Sequence, residues 1–144
     1  MTATPTQRLP GFQSGVIGGV CLVLLALIGM VYAFNQREIV SGVISMGQTL
    51  LVFTSAFICS MAVKRAPSRS AGPVLTAGIT AGLVMAAMLV LLILLGKTVN
   101  MRQVFINASP ALFNLLLFYQ ENIWAGIGLM LLSGALIGFL TGLT

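Results

Sequence analysis

The sequence predicts an all-α membrane protein, with four transmembrane helices and a short interfacial helix between the third and fourth spans. Three observations predict it. Hydrophobic residues make up 58% of the 144-residue chain and charged residues 6%. A soluble domain needs about a quarter charged residues to cover its surface, so much of this surface must face lipid. The apolar residues gather into four runs of about the 20 residues that a helix needs to cross roughly 30 Å of hydrocarbon. Every charged residue stands outside those runs. The length predicts a single domain.

Residues 1–14 carry Pro5, Pro10 and Gly11 and read as a flexible cytoplasmic tail. The first span covers residues 15–34, uninterrupted by charge. It is too long for the apolar part of a signal peptide, and Tyr32-Ala33-Phe34 is a poor cleavage site, so a retained span is expected. The turn Asn35-Gln36-Arg37-Glu38 leads into a second span, 39–63, and Lys64–Ser70 is a basic loop. Pro73 opens the third span, 73–96, in the first helical turn, where proline forfeits no hydrogen bond.

Residues 97–107 mix polar and apolar types. Ser109-Pro110 reads as an N-cap followed by proline at the first helical position. The apolar stretch 111–119 has only about nine of the 20 residues a crossing needs. It predicts a helix at about 110–120 that lies in the interface or dips into the bundle, with Phe113, Phe118 and Tyr119 near the headgroups. An ordinary outer loop is the alternative. The fourth span covers 123–143, anchored by Trp124. Together the spans form a transmembrane domain over residues 15–144.

Four spans put both termini and the middle loop on one side. That side carries Arg8, Lys64, Arg65 and Arg69; the other carries Arg37, Lys97 and Arg102 with Glu38 and Glu121. The positive-inside rule then predicts a multi-pass protein of a bacterial inner (cytoplasmic) membrane with both termini in the cytoplasm.

The residue inventory excludes several function classes. The chain has no His and no Asp, which removes most general-base, triad and metal chemistry; no catalytic residue, cofactor or metal site is expected. The net charge of +5 is too scattered for a nucleic-acid footprint. Cys21 and Cys59 lie in apolar runs and read as reduced packing residues near the cytoplasmic ends of neighbouring helices. Gly18-Gly19 has neither the preceding strand nor the following Lys-Ser/Thr of a phosphate loop.

Lipid gives no hydrophobic drive for helix association, so small residues must bring backbones together. Gly15, Gly19, Leu22, Ala26, Gly29 and Ala33 form one stripe of the first span, at steps of three and four. Gly78 and Gly82 mark the third span, and Gly134, Gly138 and Gly142 the fourth. A more polar stripe, Ser41, Ser45, Gln48, Ser55 and Cys59, runs along the second. It reads as a contact face, or alternatively as the wall of a solute path. With no charge at mid-membrane, the ionisable relay of a pump is missing.

Two segments carry a resemblance. Residues 34–51, Phe34-Asn35-Gln36-Arg37-Glu38-Ile39-Val40-Ser41-Gly42-Val43-Ile44-Ser45-Met46-Gly47-Gln48-Thr49-Leu50-Leu51, are joined by Val104-Phe105-Ile106-Asn107-Ala108-Ser109-Pro110. They resemble the N-terminal membrane extension of bacterial branched-chain amino acid ABC transporter permeases, over about a third of the chain. The resemblance implies a membrane importer with a binding protein outside and ATPase subunits inside. The translocating core of such a permease needs more helices than this chain has room for, so the expectation is a module or fragment, and no substrate-binding residue carries over.

The expected function is thus a non-catalytic integral membrane module associated with an ABC-type permease, with the lipid bilayer and other membrane subunits as partners. Two alternatives stand beside it. One is an accessory or structural subunit of a photosynthetic or respiratory complex, and the other a small self-assembling facilitator.

Overall fold

The computed structural model describes residues 10–35, 38–40, 44–66, 70–99, 105 and 110–144. Residues 1–9 of the expected tail, Ser41, Asn107, Arg8, Arg37, Arg69 and Arg102 lie outside the described residues, while residues 10–14 of that tail are helical. The described chain is helical apart from one small strand pair. Its elements are α1 (Pro10–Leu27), α2 (Met30–Asn35), β1 (Glu38–Val40), β2 (Ile44–Ser45), α3 (Met46–Lys64), α4 (Ala71–Thr98), α5 (Pro110–Leu116) and α6 (Ile123–Leu143). Three of them, α3, α4 and α6, are long and apolar enough to cross a membrane, and the apolar part of α1 is shorter.

The first apolar run is not one continuous helix. It breaks after Leu27, and α2 resumes at Met30. Gly29 sits at φ 89°, a conformation that costs an L side chain about 1–2 kcal/mol. The break keeps its backbone groups bonded: Ile28 N–H donates to Leu24 C=O (2.9 Å), Gly29 N–H to Ala26 C=O (3.1 Å) and Ala33 N–H to Gly29 C=O (2.8 Å). It is also shielded, with Ala26 and Val31 fully buried on either side.

The second run starts later than its composition suggests. Residue 39 does not begin a helix: Glu38 pairs with Ser45 and Val40 with Ile44 in a short antiparallel hairpin. Helix α3 begins at Met46 because a capping box fixes it there. Ser45 Oγ accepts from Gln48 N–H (3.2 Å), and Gln48 Oε1 accepts from Ser45 N–H (3.3 Å). A local hydrogen-bonded start thus overrides the continuous apolar reading.

Ser70 precedes α4, which places Pro73 in the first turn. At 28 residues α4 is about 42 Å long, more than the hydrocarbon thickness, and it forms the centre of the bundle. Asn122 caps α6, its Oδ1 accepting from Trp124 N–H (3.0 Å).

Glycine contacts set the helix directions. Gly11 lies against Ala77, Gly15 against Ala81 and Gly19 against Met88, so α1 runs parallel to α4. Gly142 lies against Leu75, Gly138 against Gly78 and Gly134 against Gly82, so α6 runs antiparallel. Val63, near the end of α3, touches Gly78. The start of α1, the end of α3 and the end of α6 therefore share one end of the bundle, where Lys64 and Arg65 are exposed.

Helix α5 packs into the bundle, the second of the two placements expected for this short helix. It has seven residues, and Leu112, Phe113, Leu115 and Leu116 are buried. The Phe113 ring is buried and lies over Gly96, near the end of α4, where a side chain would collide with it. Phe118 and Tyr119 are exposed, and they end the segment in an unusual way described below.

Candidate functional site

The packing glycines fall into three groups. Gly78, Gly82, Gly134 and Gly138 form the α4–α6 seam, where the two backbones touch. A Cβ on Gly134 would come within 2.6 Å of the Gly82 carbonyl oxygen, and one on Gly138 within 2.7 Å of the Gly78 carbonyl carbon. Gly15 and Gly19 form the α1–α4 seam, and the Leu22 and Ala26 side chains of the same stripe are buried. Gly142 is looser, at 3.1 Å from Leu75, and Gly29 serves the helix break instead of a continuous face. Ala33, beyond that break, is exposed.

The polar stripe of the second run divides as well. Ser45 and Gln48 make the cap, so Gln48 is at the start of its helix and not deep within it. Ser55 Oγ donates to Leu51 C=O (2.8 Å), as Thr54 does to Leu50 C=O (2.8 Å). Each hydroxyl spends its proton on its own helix, the economical solution where no water is at hand. Cys59 is fully buried and its thiol faces Thr141 of α6. Cys21, by contrast, is exposed, so the reading of both cysteines as packing residues holds only for Cys59.

These helices line a partly open cavity of about 80 Å³. At roughly 10–15 Å³ per water-sized position, it has room for several linked heavy atoms. Gln48, Leu51, Val52 and Ser55 of α3 form one wall, and Met130, Ser133 and Ile137 of α6 the other. Gly82, Met85, Ala86 and Leu89 of α4 form the floor. Leu115, Leu116 and Phe118 cover the end next to α5. The glycine contact at Gly82 and Gly134 leaves no side chain there to fill the space. Toward the opposite end of the bundle α3 and α6 close on each other at Cys59 and Thr141.

No charged side chain lines the cavity, and its polar groups are Gln48, Ser55 and Ser133. The Ser133 hydroxyl donates to Met130 C=O (2.8 Å), so both serines offer the cavity only oxygen lone pairs. The Gln48 oxygen is held by the cap, while its amide nitrogen has no hydrogen-bond partner among the described residues. Gln48, with an unused amide donor, thus stands among the lining residues of an otherwise largely apolar site.

The cover is strained. Phe118 and Tyr119 take φ of 55° and 57°, in the left-handed region. Two consecutive aromatic residues there cost about 1–2 kcal/mol each. The turn is held by Phe118 N–H to Leu115 C=O (3.0 Å), Tyr119 N–H to Asn114 C=O (2.8 Å) and Gln120 N–H to Leu117 C=O (3.1 Å). The result keeps Phe118 against the cavity and carries the chain back to α6. Such strain persists where the surroundings over-determine it, commonly at ligand sites.

No protein-family model, curated protein or solved structure matches the chain.

Sequence reasoning missed Ser133, Phe118 and the covering leucines of α5. Ser133 had a signal, since it sits next to Gly134 on a helix whose glycines mark the contact face. Phe118 had none, because nothing in its neighbourhood prescribes a positive φ. Buried Ser14 of α1 was missed too; its hydroxyl has no hydrogen-bond partner among the described residues.

Proposed function

We propose that the chain is a non-catalytic module of the bacterial cytoplasmic membrane that packs beside a larger ABC-type permease of the branched-chain amino acid class. It crosses the membrane four times: α1 with α2 around their buried break, then α3, α4 and α6. Both termini are cytoplasmic, on the side of Lys64 and Arg65.

The contrast between the two sides of α3 carries this reading. Its inner side contributes Cys59 and Ala62 to the core, both fully buried. Its outer side presents Phe53 and Phe57, 71% and 62% exposed and one turn apart. Large aromatics on an outer helix face suit either lipid or a neighbouring membrane subunit. The resemblance of residues 34–51 and 104–110 supplies the identity of that neighbour.

Affinity purification of the tagged chain from its own host in a mild detergent tests the association. ATPase subunits are expected in the eluate. Recovery of redox or pigment proteins instead, or of homo-oligomers alone, would replace the permease reading with the accessory-subunit or facilitator one.

A further inference from the structure

We propose that the cavity holds one acyl chain of a membrane lipid, entered sideways between α3 and α6, with its ester carbonyl accepting a hydrogen bond from the Gln48 amide nitrogen. The inference rests on the membrane reading above and gives the module a ligand.

Access is the first argument. Leu115 and Leu116 of α5 are almost fully buried and cover the end of the cavity near the start of α3. The core helix α4 closes the back. The most exposed lining side chains are Val52 (50%) and Phe118 (38%), and Leu51 and Ser55 of α3 and Ser133 and Ile137 of α6 are partly exposed between them. The way in is therefore lateral, and for a membrane-spanning bundle a lateral opening faces lipid.

Chemistry is the second. Charged or multiply polar solutes need paired charges or several donors and acceptors in a desolvated site. This cavity supplies no charge, two serines whose protons are already used, and one amide donor. A carbonyl followed by methylenes matches that pattern: one acceptor at the donor end, and nothing polar to satisfy below it.

Depth is the third. Gln48 is in the first turn of α3, whose start lies at the same end of the bundle as α5. With α3 spanning the hydrocarbon from Met46 to Lys64, its first turn stands at the level of the lipid ester groups. Ser55 is two turns deeper, about 10 Å along the helix, so the slot takes the upper part of a fatty acyl chain.

The test uses the full-length protein in dioleoylphosphatidylcholine vesicles, with a trace of phosphatidylcholine carrying a diazirine midway along one acyl chain. After photolysis, label is expected at Ser55 and within Met130–Ile137 in excess of the label on outward-facing Phe53 and Phe57. Ser55→Leu fills the slot and should abolish the cavity label while leaving Phe53 and Phe57 labelled. Gln48→Glu keeps an oxygen for the Ser45 N–H and hence the capping box, but removes the donor. It should lower cavity labelling about fivefold to tenfold, the scale of one hydrogen bond.

Label confined to Phe53 and Phe57, or cavity label unchanged in both variants, overturns the proposal. So does labelling by a free diazirine fatty acid where the phosphatidylcholine probe gives none. Resistance of the protein to carbonate extraction, measured on the same vesicles, tests the membrane reading by itself: an extractable protein sinks that reading, whereas a resistant protein with only outward label sinks the lipid site alone.

Discussion

Gly138→Leu is expected to abolish the folded state in detergent. Any Cβ at this position meets backbone, namely the Gly78 carbonyl and the Ile79 Cα at 2.9 Å, and backbone cannot swing aside as a side-chain tip can. A leucine there must push α6 off α4, and α4 is the helix against which α1, α3 and α6 all pack. Gly138→Ala measures the first carbon alone and should cost about 1–3 kcal/mol, the scale of overpacking in a tight core. Two controls bracket it. Gly128, on the same helix, has open space where its Cβ would be, so Gly128→Ala should be neutral or slightly favourable. Leu136 is half exposed, and Leu136→Ile should be mild. The monodisperse fraction on size exclusion after graded heating reads all four. Equal tolerance of Gly138→Leu and Leu136→Ile would mean that the seam is not where the two helices meet.

Phe113→Ala should release α5 from the bundle. The Phe113 ring is the contact that seats this seven-residue segment on Gly96, and removing a buried phenyl group typically costs about 3–5 kcal/mol. A helix of two turns has no stability of its own to offset such a loss. The readout is local: a cysteine introduced at Leu115, 2% exposed, should be inert to a maleimide in the parent and reactive in Phe113→Ala. Gly96→Val approaches the same contact from the other side, and the same exposure of position 115 is expected. An unreactive position 115 in both variants would show that α5 is held by something other than this ring.

Long apolar runs bounded by charge made the helices legible in the sequence, and the steps of three and four among small residues made their contact faces legible. Gly82 facing Gly134 is a consequence of that pattern. What the sequence concealed was local. Gly29 belongs to the same stripe as Gly15 and Gly19, and composition does not distinguish a glycine that admits a neighbouring backbone from one that takes φ 89°. The start of α3 was written in Ser45-Met46-Gly47-Gln48, a capping-box pattern, but it was outweighed by the apolar residues ahead of it. Phe113, Phe118 and Tyr119 share one aromatic composition and have different fates, one buried on Gly96 and two in a strained turn. The cavity arises from that turn and from missing side chains at the glycine seam, neither of which is a motif. Its polar residues were partly legible: Gln48 and Ser55 stood out as a polar stripe, while their use for a cap and a cavity wall required the hairpin to be known.

The central claim is that this bundle crosses a membrane four times with its two ends on the cytoplasmic side. Single-cysteine accessibility tests it most directly. In a Cys21→Ala background, with buried Cys59 left in place, cysteines are introduced one at a time at Ala66, Gln120 and Thr144 and offered a membrane-impermeant maleimide. The account predicts that Gln120→Cys reacts in cells whose inner membrane is intact, and that Ala66→Cys and Thr144→Cys react only once that membrane is opened. Reaction of Thr144→Cys from outside, or of Ala66→Cys and Gln120→Cys from the same side, would contradict it.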